Sequence, residues 1–361
     1  MIVVSAEAAR EFATNIFESC GAPSSEAAIV ADHLVTANLM GFDSHGLIRV
    51  PQYVGDIISG KIRPGARMTL AREQASTAQL DCGGNFGQVG GVRAMEIAID
   101  KASRSNVSMV VARRCNHVGR LGAYTEMSAR RGFISIAVCN SGRGGHFVLP
   151  WGGREGRLAT NPISFAFPMG GEDPIVADFS TSEVPEGVLR LYLNRGALLP
   201  DKWIVDAAGN PSDNPNDFYD TSSDSPKGAI LPFGGKKGYR GYALALLVEV
   251  LGGTLGGGDI LEERPGNGLG FLVINGSAFL SESEYGALIR GVRDYMKSSA
   301  PAPGFDGVLL PGETEFRNKR KRLAEGIPID DKTWEDICAA AARVGVEPGR
   351  LHQTHVDQSQ R

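Results

Sequence analysis

The stretch Asp43-Ser44-His45-Gly46-Leu47-Ile48-Arg49, set within ADHLVTANLMGFDSHGLIRVPQYV (31–54), separates the opening of the chain from its longer remainder. Ahead of it, Ala28, Ala31, Val35 and Leu39 recur near helical spacing, and Gly41 is a helix stop. Pro51 re-starts the chain beyond it. His45 can carry a proton near neutral pH. Arg49 is a permanent cation whose planar fork fits a carboxylate in two-point contact. If residues 44–50 form the first turn of a new helix, His45 and Arg49 lie one turn apart on one face. One could then clamp an acid while the other exchanges a proton. The competing reading is a capped helix start, with Asp43 or Ser44 as N-cap and Arg49 on the surface.

Working outward, residues 3–75 read as helical, with Ala9, Phe12, Ala13, Ile16 and Phe17 on one side of the first segment and no strand before Thr69. From about residue 77 the texture changes. Short β-branched runs (107–111, 133–138, 163–167, 175–178, 203–205, 271–274) alternate with helical stretches, and a glycine-rich loop spans 83–91. Residues 206–226 are polar and turn-rich, hence surface loop. Residues 239–251 predict a helix apolar nearly all round and therefore buried. Residues 282–297, 313–325 and 332–344 predict three further helices, followed by a polar, frayed tail. A chain that starts helical, becomes α/β and ends helical suggests a helical domain made from both ends (1–75 and 281–361), with an α/β domain (76–280) inserted.

The chain has 361 residues, 42% of them hydrophobic, enough for more than one packed core. Its net charge of −4 and lack of a basic patch interleaved with aromatics do not suggest a nucleic-acid partner. The cluster Arg317-Asn318-Lys319-Arg320-Lys321-Arg322 stands beside Glu313, Glu315 and Glu325 and reads as a solvated helix face. No apolar run approaches the roughly 20 residues that span a bilayer, and no signal peptide is expected. Five dispersed cysteines without a CxxC pair fit reduced thiols, so a cytoplasmic protein is expected. His33 sits inside a helix, and no histidine has a metal-ligand spacing with a neighbour, so no metal is assigned. Neither G-x-G-x-x-G nor a P-loop occurs, and spacing alone predicts no dinucleotide cofactor.

The 43–49 stretch resembles the signature of the malate/L-lactate dehydrogenase type 2 family, which also includes ureidoglycolate, sulfolactate and diketogulonate dehydrogenases or reductases and a cyclic-imine reductase. The resemblance recurs in order at Cys115-Asn116-His117-Val118-Gly119, Gly152-Gly153-Arg154-Glu155, Thr160-Asn161-Pro162, Asp178-Phe179-Ser180-Thr181-Ser182, Gly238-Tyr239-Arg240-Gly241-Tyr242 and Leu310-Pro311-Gly312-Glu313. It implies NAD or NADP bound on a non-Rossmann α/β fold, the discontinuous domain layout, and a homodimer with the site near the subunit boundary. It implies His45 or His117 as the proton-transfer residue, the other positioning the substrate, with Ser44 beside them. Arg49 is the carboxylate clamp. Tyr53, Thr160 and Asn161 are candidate substrate contacts, although Asn161-Pro162 also reads as a plain turn. Cofactor contacts carried over by motif position are Ser141, Asp178, Phe179, Ser180, Arg240, Gly241, Gly312 and Glu313.

Three positions depart from the family pattern. Arg240 replaces the usual lysine, Gly187-Val188 lacks the usual Gly-Lys lysine, and Val118 replaces phenylalanine in Asn-His-Phe-Gly. The expected activity is interconversion of a 2-hydroxy acid and a 2-oxo acid, with a small carboxylate as substrate. Reduction of cyclic imino acids is the alternative within the family. From another class comes a binding relative that has lost catalysis. The absent lysine at 188 favours that reading; both histidines, Arg49 and Arg240 oppose it.

Overall fold

The computed structural model describes residues 2–142, 145–219, 227–257, 266–347 and 354–355. The chain opens on a strand, β1 (Ile2–Val4), where the helical reading of the first 75 residues expects none. Three residues are too short for periodicity to reveal, and the partner of β1 lies near the other end of the chain. Helix α1 (Ala6–Ser19) comes next, its N-cap Ser5 accepting from the Ala8 N–H. Helix α2 (Ser24–Met40) stops at Gly41, which takes the left-handed conformation (φ +93°).

Residues 44–50 do not form one helical turn. They make two 3₁₀ turns, Asp43–His45 and Leu47–Arg49, before helix α3 (Val50–Ile58). The cause is Asn38 on α2. Its Oδ1 accepts the Leu47 N–H at 2.7 Å and fills the space beside residue 46, where a Cβ would lie 2.2 Å from that oxygen. Only glycine fits there.

The centre of the chain builds β2 (Thr69–Glu73), β3 (Thr77–Asp81), α4 (Gly87–Ser105), β4 (Val107–Cys115), α5 (Gly122–Arg130), β5 (Phe133–Ser141), β6 (Ile163–Phe167) and β7 (Ile175–Phe179). Helix α6 (Glu186–Asn194), the short strands β8 (Ile204–Val205), β9 (Pro211–Ser212) and β10 (Ala229–Ile230), helix α7 (Tyr239–Val248) and β11 (Asn267–Asn275) complete it. A mixed seven-stranded sheet runs β2-β3-β4-β11-β5-β6-β7, and β3–β4 is its one parallel pair. Strand β11 enters late yet pairs with both β4 and β5 at the centre. Phe271, Leu269, Ala137 and Val110 pack beneath Ala94, Met95 and Ala98 of α4 and Tyr124 of α5.

The glycine-rich segment is partly helix, because α4 begins at Gly87. A Cβ at Gly87 would lie 2.2 Å from the Asn116 carbonyl oxygen and 2.4 Å from that of His117, so glycine lets α4 touch the loop after β4. Helix α7 also differs from its expectation. It ends at Val248 and continues as one π turn, Glu249–Gly253, with Leu246, Leu247 and Val250 exposed. Hydropathy marks a surface that wants covering; it does not say that this chain covers it.

The last segment contains α8 (Glu282–Lys297), with a Ser281/Glu284 capping box, α9 (Glu313–Glu325), β12 (Ile327–Ile329), α10 (Asp331–Arg343) and β13 (Thr354–His355). Strands β12 and β13 flank β1, so Thr354 and His355 are paired rather than frayed; residues 356–361 lie outside the described ones. Ile327, Ile329, Trp334 and Ile337 share one core with α1, α2 and α3. Within it Phe17 meets Phe86 edge-on at 5.6 Å and Tyr53 at 6.3 Å, contacts worth about 0.5–1.5 kcal/mol each beyond burial.

The 317–322 cluster is not a purely solvated face. Arg322 of α9 pairs with Asp43 at 2.7 Å, Arg320 pairs with Asp173 at 2.8 Å, and Asn318 donates to the Met40 carbonyl. Helix α8 is tied instead toward the sheet, through Arg293 and Glu172 at 2.8 Å. Among the described residues, no helix is long and apolar enough to cross a membrane.

Candidate active site

The 43–49 turns face the loop after β4. The rings of His45 and His117 stack with centroids 5.6 Å apart and planes inclined by 21°. Ser44 Oγ lies 3.0 Å from His45 Nδ1. The Tyr53 hydroxyl lies 2.6 Å from His117 Nδ1 and receives a hydrogen bond from Gln88 Nε2 at 2.7 Å. Tyr53 is 1% exposed, so its hydroxyl serves His117 and lies outside the cavity lining. Arg49 Nε donates back to the Ser44 carbonyl at 2.7 Å and Nη1 to Gln52 at 2.9 Å, which fixes the guanidinium beside both imidazoles.

Four of these residues, Ser44, His45, Arg49 and His117, line a cavity of about 250 Å³. Asn140, Ser141, Thr160 and Asn161 line it with them, as do Glu186 and Gly187 of α6. Of the residues expected from sequence, Ser44, His45, Arg49, His117, Ser141, Thr160 and Asn161 therefore share one space.

The electrostatics favour neutral imidazoles. Burial, then the charges of Arg49 and Arg120, push the His45 pKa down to about 4. Burial, then Arg49 and His45, hold His117 well below the ordinary imidazole value. Two stacked rings beside a fixed cation cannot both protonate cheaply.

Sequence reasoning passed over several supporting groups. His33, read as an ordinary helical residue, is buried and its Nε2 accepts the Arg120 N–H at 2.9 Å, pinning the loop that carries His117. Gly119 (φ +69°) makes room for that ring, since a Cβ there would lie 2.3 Å from His33 Nε2. Gln88, Asn140 and Glu249 gave no signal of their own. Asn161 is fully buried at φ +36°, with Nδ2 donating to the Ala245 carbonyl (2.9 Å) and Glu249 (3.1 Å).

Residues 4–338 match the model of the malate/L-lactate dehydrogenase family. The chain belongs to this family. It is 36% identical over 347 residues to a malate dehydrogenase of Pyrococcus horikoshii, covering 93% of this chain and 94% of that one. The solved sulfolactate dehydrogenase of Methanocaldococcus jannaschii superposes with a TM-score of 0.85 at 33% identity, covering 96% of this chain and 98% of that one. The Δ1-piperideine-2-carboxylate reductase of Pseudomonas syringae gives 0.81 at 27% identity, covering 94% and 100%.

The remaining positions that the malate/L-lactate dehydrogenase resemblance marks for the cofactor lie outside this cavity's lining. The Asp178 carboxylate accepts the Gly122 N–H at 2.6 Å; burial raises its pKa, while Arg120 and that N–H oppose the rise. Phe179 ends β7 and Ser180 follows it, with the Phe179 ring 6.5 Å from Phe233. Gly241 packs on the Phe233 backbone, where a Cβ would lie 2.2 Å from its carbonyl oxygen, and Arg240 is exposed beside the Tyr239 ring. Gly312 (φ +93°) lies against Val176 at the sheet edge. Glu313 there binds Lys297 through one oxygen at 2.6 Å and leaves the other buried without a partner.

Proposed function

We propose that this chain interconverts a 2-hydroxy acid and a 2-oxo acid, with NAD or NADP as hydride carrier. The observation that carries the reading is a stacked histidine pair beside a fixed guanidinium on one cavity. Removing a hydride from a carbon that bears a hydroxyl requires a proton to leave the oxygen, through a group able to accept it near the working pH. Arg49 holds the substrate carboxylate, whose negative charge offsets the cation that depresses both histidines. His117 takes the hydroxyl proton in oxidation and returns it in reduction. Tyr53, able to donate or accept, keeps its Nδ1 bonded in either tautomer. His45, steadied by Ser44, positions the oxygen.

The nicotinamide supplies the hydride acceptor when bound. The residues present fit it: Ser141 lines the cavity, and the buried Asn161 Oδ1 lacks a partner. Glu313 Oε2, likewise unpartnered, leaves an acceptor at the sheet edge. The single parallel strand pair supports a cofactor domain unlike the doubly wound kind. The core that Ile327, Ile329, Trp334 and Ile337 share with α1, α2 and α3 supports a helical domain made from both chain ends, while α8, tied to Glu172, lies outside that core. The exposed apolar side chains Leu246, Leu247, Val250 and Leu255 support a homodimer. Cyclic imino acids are the second reading, favoured by the likeness to the piperideine-carboxylate reductase, because clamp, hydride and proton serve both reactions.

The test is loss of nicotinamide absorbance with pyruvate, oxaloacetate, 2-oxoglutarate, a phenylpyruvate-type acid and cyclic imino acids, each with NADH and NADPH. An active oxo acid, with turnover abolished in His117→Ala and KM raised in Arg49→Gln, supports the leading reading. Turnover with imines alone moves the chain to the second. No NADH or NADPH binding overturns both.

A further inference from the structure

The π turn after α7 has a local cause and a local consequence. Gly252 and Gly253 lie against the end of β5, where a Cβ on Gly253 would sit 2.3 Å from Asn140 Nδ2, so the helix can press onto the sheet only with glycine there. The turn carries Glu249, 6% exposed, into contact with two cavity-lining amides. Glu249 Oε1 accepts from Asn140 Nδ2 at 2.8 Å, and Oε2 accepts from Asn161 Nδ2 at 3.1 Å. Among the described residues, no lysine or arginine pairs with it. A buried carboxylate held only by amides is costly unless something depends on it.

The orientation of both amides is forced. Asn161 Nδ2 also faces the Ala245 carbonyl, which can only accept. Asn140 Oδ1 accepts the Gly268 N–H at 2.9 Å, so its NH₂ must point to Glu249. Asn161 Oδ1 is thereby the group left over, buried and without a partner, on a residue in the left-handed region just before Pro162. A non-glycine residue held there costs roughly 1–3 kcal/mol, which is characteristic of functional sites.

We infer that Glu249 is a positioning residue that locks Asn161 with its oxygen presented as an acceptor, and that this acceptor takes an N–H of the nicotinamide carboxamide. The inference rests on the proposed function. The carboxamide is favoured over a substrate hydroxyl for two reasons. His45, His117 and Arg49, which line the same cavity, already serve the substrate. Asn140, tied to the same carboxylate, is next to Ser141, the cofactor position.

The test is direct binding, read by quenching of tryptophan fluorescence and by calorimetry. NADH is compared with reduced 3-acetylpyridine adenine dinucleotide, whose acetyl group has no N–H. The whole protein should favour NADH by about 10-fold or more, the size of a buried acceptor left unpaired. Glu249→Gln presents one NH₂ to an asparagine NH₂, and neither asparagine can turn without losing another bond. That variant should bind the two dinucleotides within about 2-fold of each other. Equal binding of both dinucleotides by the unaltered protein overturns the inference while the function stands, and a substrate hydroxyl becomes the donor. A full preference retained in Glu249→Gln removes Glu249 from the role. If Glu249→Gln does not fold, Asn161→Ser replaces it in the same comparison. Failure of the unaltered protein to bind either dinucleotide overturns the functional reading, and the inference with it.

Discussion

His45 and His117, 72 positions apart in sequence, stack at 5.6 Å beside Arg49, so neither ring can protonate without facing two other potential cations. A bound carboxylate changes that balance. It offsets the field of Arg49, so the histidine pKa values should rise, while burial, the larger cause of their depression, stays in place. Below neutral pH, therefore, binding of an oxo acid to the NADH complex should take up a proton. Calorimetry in buffers of different ionisation enthalpy measures the uptake. No uptake anywhere between neutral pH and about 4, the value of His45 without ligand, would mean that Arg49 does not meet the carboxylate.

Tyr53 offers a substitution that separates support from filling. Tyr53→Phe keeps the ring that packs on Phe17 and removes only the hydroxyl shared by His117 and Gln88. The expected cost in stability is about 1 kcal/mol, because two buried polar groups lose a partner. Turnover should fall by roughly 10-fold or more as His117 loses its orientation. Thermal unfolding and steady-state kinetics on one preparation decide it. Unchanged turnover would show that His117 needs no help from Tyr53.

The 43–49 turn was legible as candidate chemistry because it is a local run of unusual residue types, whereas the 115–119 loop was legible only through the family resemblance. The groups that hold them were not. Asn38 explains Gly46, and His33 explains Gly119, but each pair joins residues that sequence spacing cannot connect. The same is true of β1. Its three residues reveal nothing until β12 supplies the missing hydrogen bonds. Glu249 was hidden inside a run read only as apolar helix, since a π turn leaves no hydropathy period of its own. The cofactor positions were legible only through the family, because the glycine fingerprint that announces a dinucleotide is absent.

Arg322 shows that the end of the chain supports the site. Its guanidinium meets Asp43 at 2.7 and 3.2 Å and also donates to the Asn38 carbonyl, bracketing the turn that carries His45. Arg322 is mostly covered but Asp43 is half exposed, so the weight of the contact lies in its three hydrogen bonds rather than in a buried charge pair. Arg322→Ala and Asp43→Asn should each weaken the oxo-acid reaction. Their double mutant should lose less than the sum, with a coupling of about 0.5–3 kcal/mol. Strict additivity would mean that the pair does not act on the turn as a unit.

His33 predicts how the fold responds to acid. Burial, then the charges of Arg120 and His45, lower its pKa to about 3, against an ordinary imidazole value of 6.5. A folded value below the unfolded one means that the unfolded chain binds the proton first. The stability from neutral His33 is therefore complete above about pH 6.5 and falls as pH drops toward 3. At pH 4 the loss should be on the order of 3 kcal/mol from this ring, with His45 adding to it. His33→Gln removes the titrating group, and its amide oxygen can still accept the Arg120 N–H. That variant should start less stable at pH 7.5 but lose less between pH 7.5 and 4. Urea unfolding across that range measures both slopes. Parallel slopes would show that His33 is not the group that charges.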